Sequence, residues 1–423
     1  MMSIQEIYRL YQQHPSVQTD TRKLQPGDIF FALKGPNFNG NTFAAKALEA
    51  GAAYSIVDEP TGSKNERIIL VDNVLETLQQ LAAYHRARFS IPFIAITGSN
   101  GKTTTKELIH KVLSSSFITY TTEGNLNNHI GIPLTLLRIK PDAQMAVIEM
   151  GANHLKEIES YCRYTQPTHG IITNCGKAHL EGFGSEENIK IAKGELYDYL
   201  RQNKGTVFAF DDYDYFHSMT KGMKEVVWYG TQKGTTIGRE LSTKPFLSVQ
   251  LKNNTIYHTQ LIGDYNLPNV LCAISVGKYF DIAQERIQSA IENYAPSNSR
   301  SQLKKAGSNH FIVDAYNANP TSMKVAIENL KNMDVPRKVL LLGAMKELGE
   351  DSVKEHQDLI ELIKKHNWQA VVLVGGDFAK TDHPFYYFPD TQKAKEWLQQ
   401  QHFENTYFLL KGSRGIAMEN MLQ

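Results

Sequence analysis

The stretch "IAITGSNGKTTTKEL", residues 94–108, carries the first chemistry in the chain. An apolar run gives way to two glycines, a lysine and three threonines, and a helix-like stretch follows. Backbone N–H groups of such a turn can wrap an oligophosphate, and the dipole of the helix behind them adds favourable charge. Gly98, Ser99, Asn100, Gly101 and Thr104 supply the cradle; Lys102 would reach the β- and γ-phosphates and the Thr103 hydroxyl would bind Mg²⁺. The usual spacing places a glycine five positions before the Gly-Lys pair. Ile96 stands there, so this loop is a shortened variant. Its structural alternative is an ordinary helix cap.

Two later segments share the same shape. "MAVIEMGANH" ends an apolar run at Glu149, where doubly wound sheets place catalytic groups, and a carboxylate there suits a second Mg²⁺ contact. "ITNCGKAHLEGFGSEENIKIAKGELYDYL" offers His179 and then Lys193 on a helical pattern. Read alone, Glu149 could be a solvated strand-end acid, His179 a structural histidine and Lys193 part of a solvated face. No Asn-Lys-x-Asp run supports a GTPase, and no His-Arg-Asp run supports a protein kinase.

The elements that must position these residues fall into three blocks of an α/β chain, expected as 1–88, 89–297 and 298–423. In the first, "DIFFAL" and "AAYSIVD" alternate with helical runs, and "VLETLQQLAAYHRARF" leads to Ile91-Pro92. The second carries the glycine loop and the apolar runs "MAVIEMG", "HGIITNCG", "GTVFAFD" and "EVVWYG", which fit a doubly wound, mainly parallel sheet. "FLSVQLKNNTIYHTQLIG" reads as an antiparallel hairpin at its margin. The third alternates strands and helices in a Rossmann-like way through "NHFIVDAY", "KVLLLGAM", "AVVLVGGD" and "TYFLLKG".

Composition narrows the class. The chain has 423 residues, is 41% hydrophobic and 21% charged, and carries a formal net charge of +1. No overall field would draw in nucleic acid or an anionic membrane, so an anionic ligand needs a local site. The start lacks a secretion signal and no apolar stretch is long enough to span a bilayer, which points to a cytoplasmic protein. Cys162, Cys175 and Cys272 are odd in number and scattered, against a disulfide framework or a zinc site.

The ordered series "TGSNGKTTTKE", "TEGNLNNHIGIPLTLL", "EMGANH", "AHLEGFGS", "AKGE", "GDYNLPNVLCAISV", "NSRSQ", "DAYNANPTSM", "KELGE" and "KGSRG" resembles the ATP-dependent Mur ligases, which add amino acids to the peptidoglycan precursor. The resemblance also covers "TDTRKLQPGDIFFALKGPNFNGNTFAAKALEAGA", similar to the family's UDP-sugar-binding opening, and so spans nearly the whole chain. It implies a small N-terminal UDP-sugar domain, a central P-loop ATPase domain and a C-terminal domain closing on the nucleotide. The implied substrates are ATP, UDP-N-acetylmuramoyl-tripeptide and D-alanyl-D-alanine, with two Mg²⁺ ions and a monomeric enzyme.

By position, the resemblance makes Lys102, Glu149, His179, Lys193 and Arg300 the catalytic set, with Thr103, Glu149, His179 and Lys193 near metal. Lys193 aligns with a lysine that is carbamylated in related ligases. Asn266 and Asn269 resemble the adenine-contacting pair, with Asn317 and Pro320 near the same base, and Asp314 and Arg300 resemble groups that close onto the nucleotide. Thr19, Asp20, Thr21 and Arg22 would lie near UDP, and Asn125, Asn127 and Asn128 where the sugar-peptide meets ATP. Lys411, Ser413 and Arg414 would receive the dipeptide. Three positions depart from the family pattern: Tyr265 where histidine is usual, Ala344 where aspartate is usual, and His129 where an acid is common. A different Mur-type or folylpolyglutamate-type ligase, or a non-catalytic nucleotide-binding relative, remains open from sequence.

Overall fold

The computed structural model describes residues 2–242, 245–297 and 299–422. Asn298, where the third block was expected to begin, lies outside the described residues. The chain is α/β, with three principal sheets, each built mainly from parallel strands.

The first sheet joins Val17–Gln18, Ile29–Phe31, Tyr54–Val57 and Ile68–Leu70, all parallel. Helix Ile4–Gln13 opens with a reciprocal cap between Ser3 and Glu6. Helix Val74–Arg86 belongs in sequence to this unit, yet its C-terminal end is bonded into the next. Arg86 donates from Nε to Thr165 O and from a terminal guanidinium nitrogen to Gln166 O, both at 2.8 Å. Its guanidinium lies 3.6 Å from the centre of the Phe93 ring. His85 bridges Tyr8 Oη (3.1 Å) and Ile139 O (2.8 Å). These buried polar bonds fix the first unit to the second, because breaking one would leave a buried group unsatisfied.

The central sheet runs Ile256–His258, Ser248–Leu251, Thr236–Ser242, Glu225–Gly230, Thr206–Phe210, His169–Ile172, Phe93–Thr97, Met145–Glu149 and Thr119–Thr121. The Phe93–Thr97 and Met145–Glu149 strands are buried throughout, as continuous apolar runs in a sheet covered on both faces should be. The expected hairpin is present: Ser248–Leu251 and Ile256–His258 pair antiparallel at the sheet's end. Helix Lys102–Ser114 packs on helix Leu267–Tyr279, whose residues 269–277 are all buried.

The third sheet runs Gln302–Ala306, Asn309–Asp314, Tyr407–Lys411, Lys338–Gly343, Ala370–Val374 and Tyr386–Phe388. Only its first pair is antiparallel. The edge strand Gln302–Ala306 carries no apolar alternation and is exposed over its last three residues, so its pattern gives no strand signal. Among the described residues, no helix is long and apolar enough to cross a membrane.

Candidate active site

Strand Phe93–Thr97 ends at the glycine loop, and helix Lys102–Ser114 starts directly behind it. Gly98 (φ 138°) and Gly101 (φ 80°) adopt backbone angles that side chains resist. A Cβ on Gly98 would lie 2.0 Å from Thr173 Oγ1. The loop is braced by its neighbour strand. Asn100 N donates to Asn174 Oδ1 (3.1 Å), Thr173 Oγ1 donates to Asn100 O (2.6 Å), and Ser99 Oγ donates to Gly176 O (2.6 Å). Lys102 bends back, with Nζ donating to Gly98 O (2.6 Å) and Ser99 O (3.1 Å). Burial lowers its pKa, Glu149 opposes that shift, and Arg300 adds to it. The lysine therefore feels both an acid and an arginine from other strands and domains.

Glu149 sits at the end of its strand, as strand-end catalysts of doubly wound sheets do. Asn127 Nδ2 donates to its Oε1 at 2.8 Å, whereas Oε2 is buried without a hydrogen-bond partner. A buried, unpaired carboxylate oxygen is costly unless a cation or donor arrives. That oxygen and the buried Thr103 hydroxyl are oxygen donors that fit Mg²⁺, whereas the His179 imidazole beside them offers only nitrogen. Among the described residues, no three His, Cys, Asp or Glu side chains gather as a metal cluster. The set read from sequence contains only two residues of those types.

His179 has a left-handed backbone (φ 52°), and its Nδ1 lies 2.5 Å from Glu347 Oε2 of the third sheet's unit. Lys193 is buried, donates from Nζ to Ala152 O at 3.0 Å, and has Nζ 5.0 Å from the Phe183 ring centre. Burial, reinforced by the charge of Lys102, pulls its pKa down to about 7. Half of such amines are neutral near pH 7, which is the form that reacts with carbon dioxide.

One cavity of about 980 Å³ collects most of the expected residues. Its walls include Ser99 to Thr104, Asn127, Asn128, Glu149, His179, Asn266 and Asn269 from the centre, with Arg300, Asp314, Asn317 and Lys411 from the third unit. Gly98, Asn125, Lys193, Pro320, Ser413, Arg414 and residues 19–22 are absent from that lining. Lys193 lies behind Ala152, and Asp20 spends its carboxylate on the backbone and guanidinium of Arg22. Asn128 Oδ1 accepts from Gly131 N (2.8 Å), the first residue of helix Gly131–Leu137.

Lys411 and Ser413 are also committed. Lys411 Nζ is 2.5 Å from Asp314 Oδ2 and donates to Asn317 O at 3.2 Å, while Ser413 Oγ accepts from Lys346 N (2.9 Å). Asn269 Oδ1 accepts from Thr105 Oγ1 (3.0 Å), and Asn269 Nδ2 donates to Asn266 Oδ1 (2.9 Å), so the asparagine pair is held against the loop helix. The substituted Tyr265 reaches Ser301 with its hydroxyl at 2.9 Å. Sequence reasoning missed Asn174, Tyr213, Tyr215, Tyr316 and Asn319 as cavity residues. Only Asn174 carried a positional signal, two residues beyond a strand.

The third unit meets the phosphate loop itself. Asn319 Nδ2 donates to Asn100 Oδ1 (2.8 Å), Lys177 N donates to Thr321 Oγ1 (3.0 Å), and Lys177 Nζ pairs with Glu355 (2.9 Å). A glycine loop, a strand-end acid with one unpaired oxygen and an arginine from a second α/β unit thus make a site of the kind that suits a nucleoside triphosphate.

Known proteins agree with that class. Residues 15–86 match the model of the Mur ligase family catalytic domain, 96–277 the Mur ligase middle domain, and 299–414 the Mur ligase glutamate ligase domain. The chain belongs to the Mur ligase family. It is 34% identical to the UDP-N-acetylmuramoyl-tripeptide–D-alanyl-D-alanine ligase of Bacillus subtilis (strain 168), over 96% of this chain and 92% of that protein. Identity to the enzyme of the same name from Escherichia coli (strain K12) is 33%, over 96% and 93%. The crystal structure of MurF from Acinetobacter baumannii superposes with a TM-score of 0.87 at 29% identity, covering 98% of this chain and 97% of that one.

Proposed function

We propose that this chain joins D-alanyl-D-alanine to the terminal carboxylate of UDP-N-acetylmuramoyl-tripeptide at the expense of ATP. The observation that carries this reading is the meeting of Lys102, Glu149 and Arg300 in one cavity between two α/β units. The names of its relatives supply the substrates.

The amides of residues 98–104 and Lys102 cradle the triphosphate, so Lys102 leaves its carbonyl partners for phosphate oxygens. The tripeptide carboxylate attacks the γ-phosphorus, which breaks the bond to ADP and leaves an acyl phosphate. Phosphorylation turns a carboxylate oxygen into a good leaving group. The dipeptide amine then adds to the acyl carbon, loses a proton, and expels inorganic phosphate to give the amide. Arg300 offsets charge on the transferred group, a task suited to a planar guanidinium. Mg²⁺ would further neutralise the phosphates, held by Thr103, Glu149, His179 and a carbamate on Lys193. That carbamate forms when the neutral Lys193 amine bonds carbon dioxide and releases a proton. Closure of the third unit through Asn319 and Lys177 keeps water from the acyl phosphate.

The test is phosphate release from ATP and Mg²⁺ with both substrates, and the product mass. Omission of either the tripeptide or the dipeptide must abolish amide formation. Turnover that ignores the dipeptide, or accepts only another amine, would refute this assignment.

A further inference from the structure

Arg300 stands between two serines in the left-handed backbone region, Ser299 (φ 56°) and Ser301 (φ 50°). Serine enters that region rarely, and such strain persists only where the surroundings hold it. Here they do. Ser299 N donates to Gln302 Oε1 (3.2 Å), and Gln302 Nε2 donates to Pro296 O (2.8 Å). The Ser301 hydroxyl shares a 2.9 Å hydrogen bond with the hydroxyl of Tyr265, a residue of the central unit.

Both ends of this junction between the central and third units are tied to the helix behind the glycine loop. Upstream, Tyr294 Oη donates to Glu107 Oε2 (2.6 Å), and Glu107 lies in helix Lys102–Ser114. Downstream, Tyr265 directly precedes Asn266, which accepts from Asn269, and Asn269 in turn accepts from Thr105 of the same helix. The Tyr265 ring lies against Gly263, where an added Cβ would come within 2.2 Å of its Cε1, so the missing side chain makes room for the ring. Arg300 lines the same cavity as Lys102, and its positive charge acts on Lys102.

We infer that Tyr265 is a positioning residue, which through the Ser301 hydroxyl fixes the strained backbone beside Arg300 and so sets that guanidinium relative to the glycine loop. The assignment rests on the ligase activity proposed above. Without the bond, relief of strain draws residues 299–301 out of the left-handed region, and the guanidinium must be ordered anew in each turnover. Tyr265 acts here without touching the reacting atoms.

The experiment measures kcat/KM for ATP and the thermal midpoint of wild type, Tyr265→Phe, Ser301→Ala and their combination, and repeats Tyr265→Phe in an Arg300→Ala background. Tyr265→Phe keeps the ring and removes only its hydroxyl. It should lower kcat/KM on the order of three- to tenfold, as should Ser301→Ala, and the combination should fall no further than about the worse single variant. In Arg300→Ala, adding Tyr265→Phe should change kcat/KM by less than about twofold, because the group it acts through is gone. A tyrosine that only stabilised the fold would cost the same in both backgrounds. Deuterium uptake at residues 299–302 should also rise in Tyr265→Phe, with helix Lys102–Ser114 unchanged. The inference fails if Tyr265→Phe matches wild type, or if its loss persists in full without Arg300. If Arg300→Ala has no measurable turnover, deuterium uptake decides, and no rise at 299–302 overturns the inference. If Tyr265→Phe does not fold, Ser301→Ala takes its place in each comparison. A wild type that does not turn over with these substrates overturns the proposed activity and this assignment together; an active wild type with an indifferent Tyr265→Phe overturns only the tyrosine.

Discussion

Glu347, in the third unit, places Oε2 2.5 Å from Nδ1 of His179, in the central unit, and so pairs the two units beside the cavity that His179 lines. The bond lowers the Glu347 pKa, with burial acting against it. His179 is thus oriented by the domain that closes over it. Because the pair is partly exposed, Glu347→Gln should cost less than about 1 kcal/mol in denaturant unfolding. Small-angle scattering of the ligand-free variant should nevertheless show a larger radius of gyration. Unchanged scattering would mean that the Asn100–Asn319 and Lys177–Glu355 contacts hold the units together without it.

Gly98 has no room for a side chain. Its φ of 138° disfavours any L-residue, and an added Cβ would meet Thr173 Oγ1 at 2.0 Å, an atom already bonded to Asn100 O. Gly98→Ala must shift the loop, at a strain on the order of 1–3 kcal/mol. ATP affinity by calorimetry should fall at least about tenfold. Retained affinity would place the nucleotide elsewhere.

Lys193 is tested by chemistry rather than by loss alone. Lys193→Ala should be inactive and regain part of its turnover with acetate or propionate, which replace the lost anion. Wild-type protein in ¹³C-bicarbonate should show a carbamate resonance that the variant lacks. Full activity in Lys193→Ala would end the carbamate reading.

His169 makes the fold acid-sensitive away from the site. It is buried beside Phe208, Tyr279 and Phe280, and burial pulls its pKa from 6.5 to about 4, opposed only by Glu225. Between those values the unfolded chain takes up a proton that the folded chain refuses. Stability therefore falls as pH drops from about 6.5 to about 4 and this contribution levels off below, at a cost of up to about 3 kcal/mol. Unfolding of His169→Phe followed across that window should show a shallower decline; an equal slope would exonerate the histidine.

Much of this molecule is legible in order of residues. Continuous apolar runs such as "FIAIT" and "MAVIE" read as strands buried on both faces, and the order strand, glycine loop, helix expected at residues 93–114 is the one the structure has. Local pattern sufficed there because backbone angles and burial are set by neighbours in the chain. The polar edge strand Gln302–Ala306 escaped because its pairing partner, not its own alternation, makes it a strand.

The sequence alone determined which residue types the elements carry: Glu149 at a strand end, Lys102 at a helix start and Lys193 within a helix. Tertiary structure alone decided their state. Packing buried Lys193 and drew its pKa towards neutrality, left one Glu149 oxygen without a partner, and spent Lys411 on Asp314 instead of on open cavity. It also brought Tyr316 under two arginines 114 positions apart in the chain (414 minus 300). Charge, desolvation and ring contact depend on distances between segments remote in sequence, and only the folded chain sets those distances.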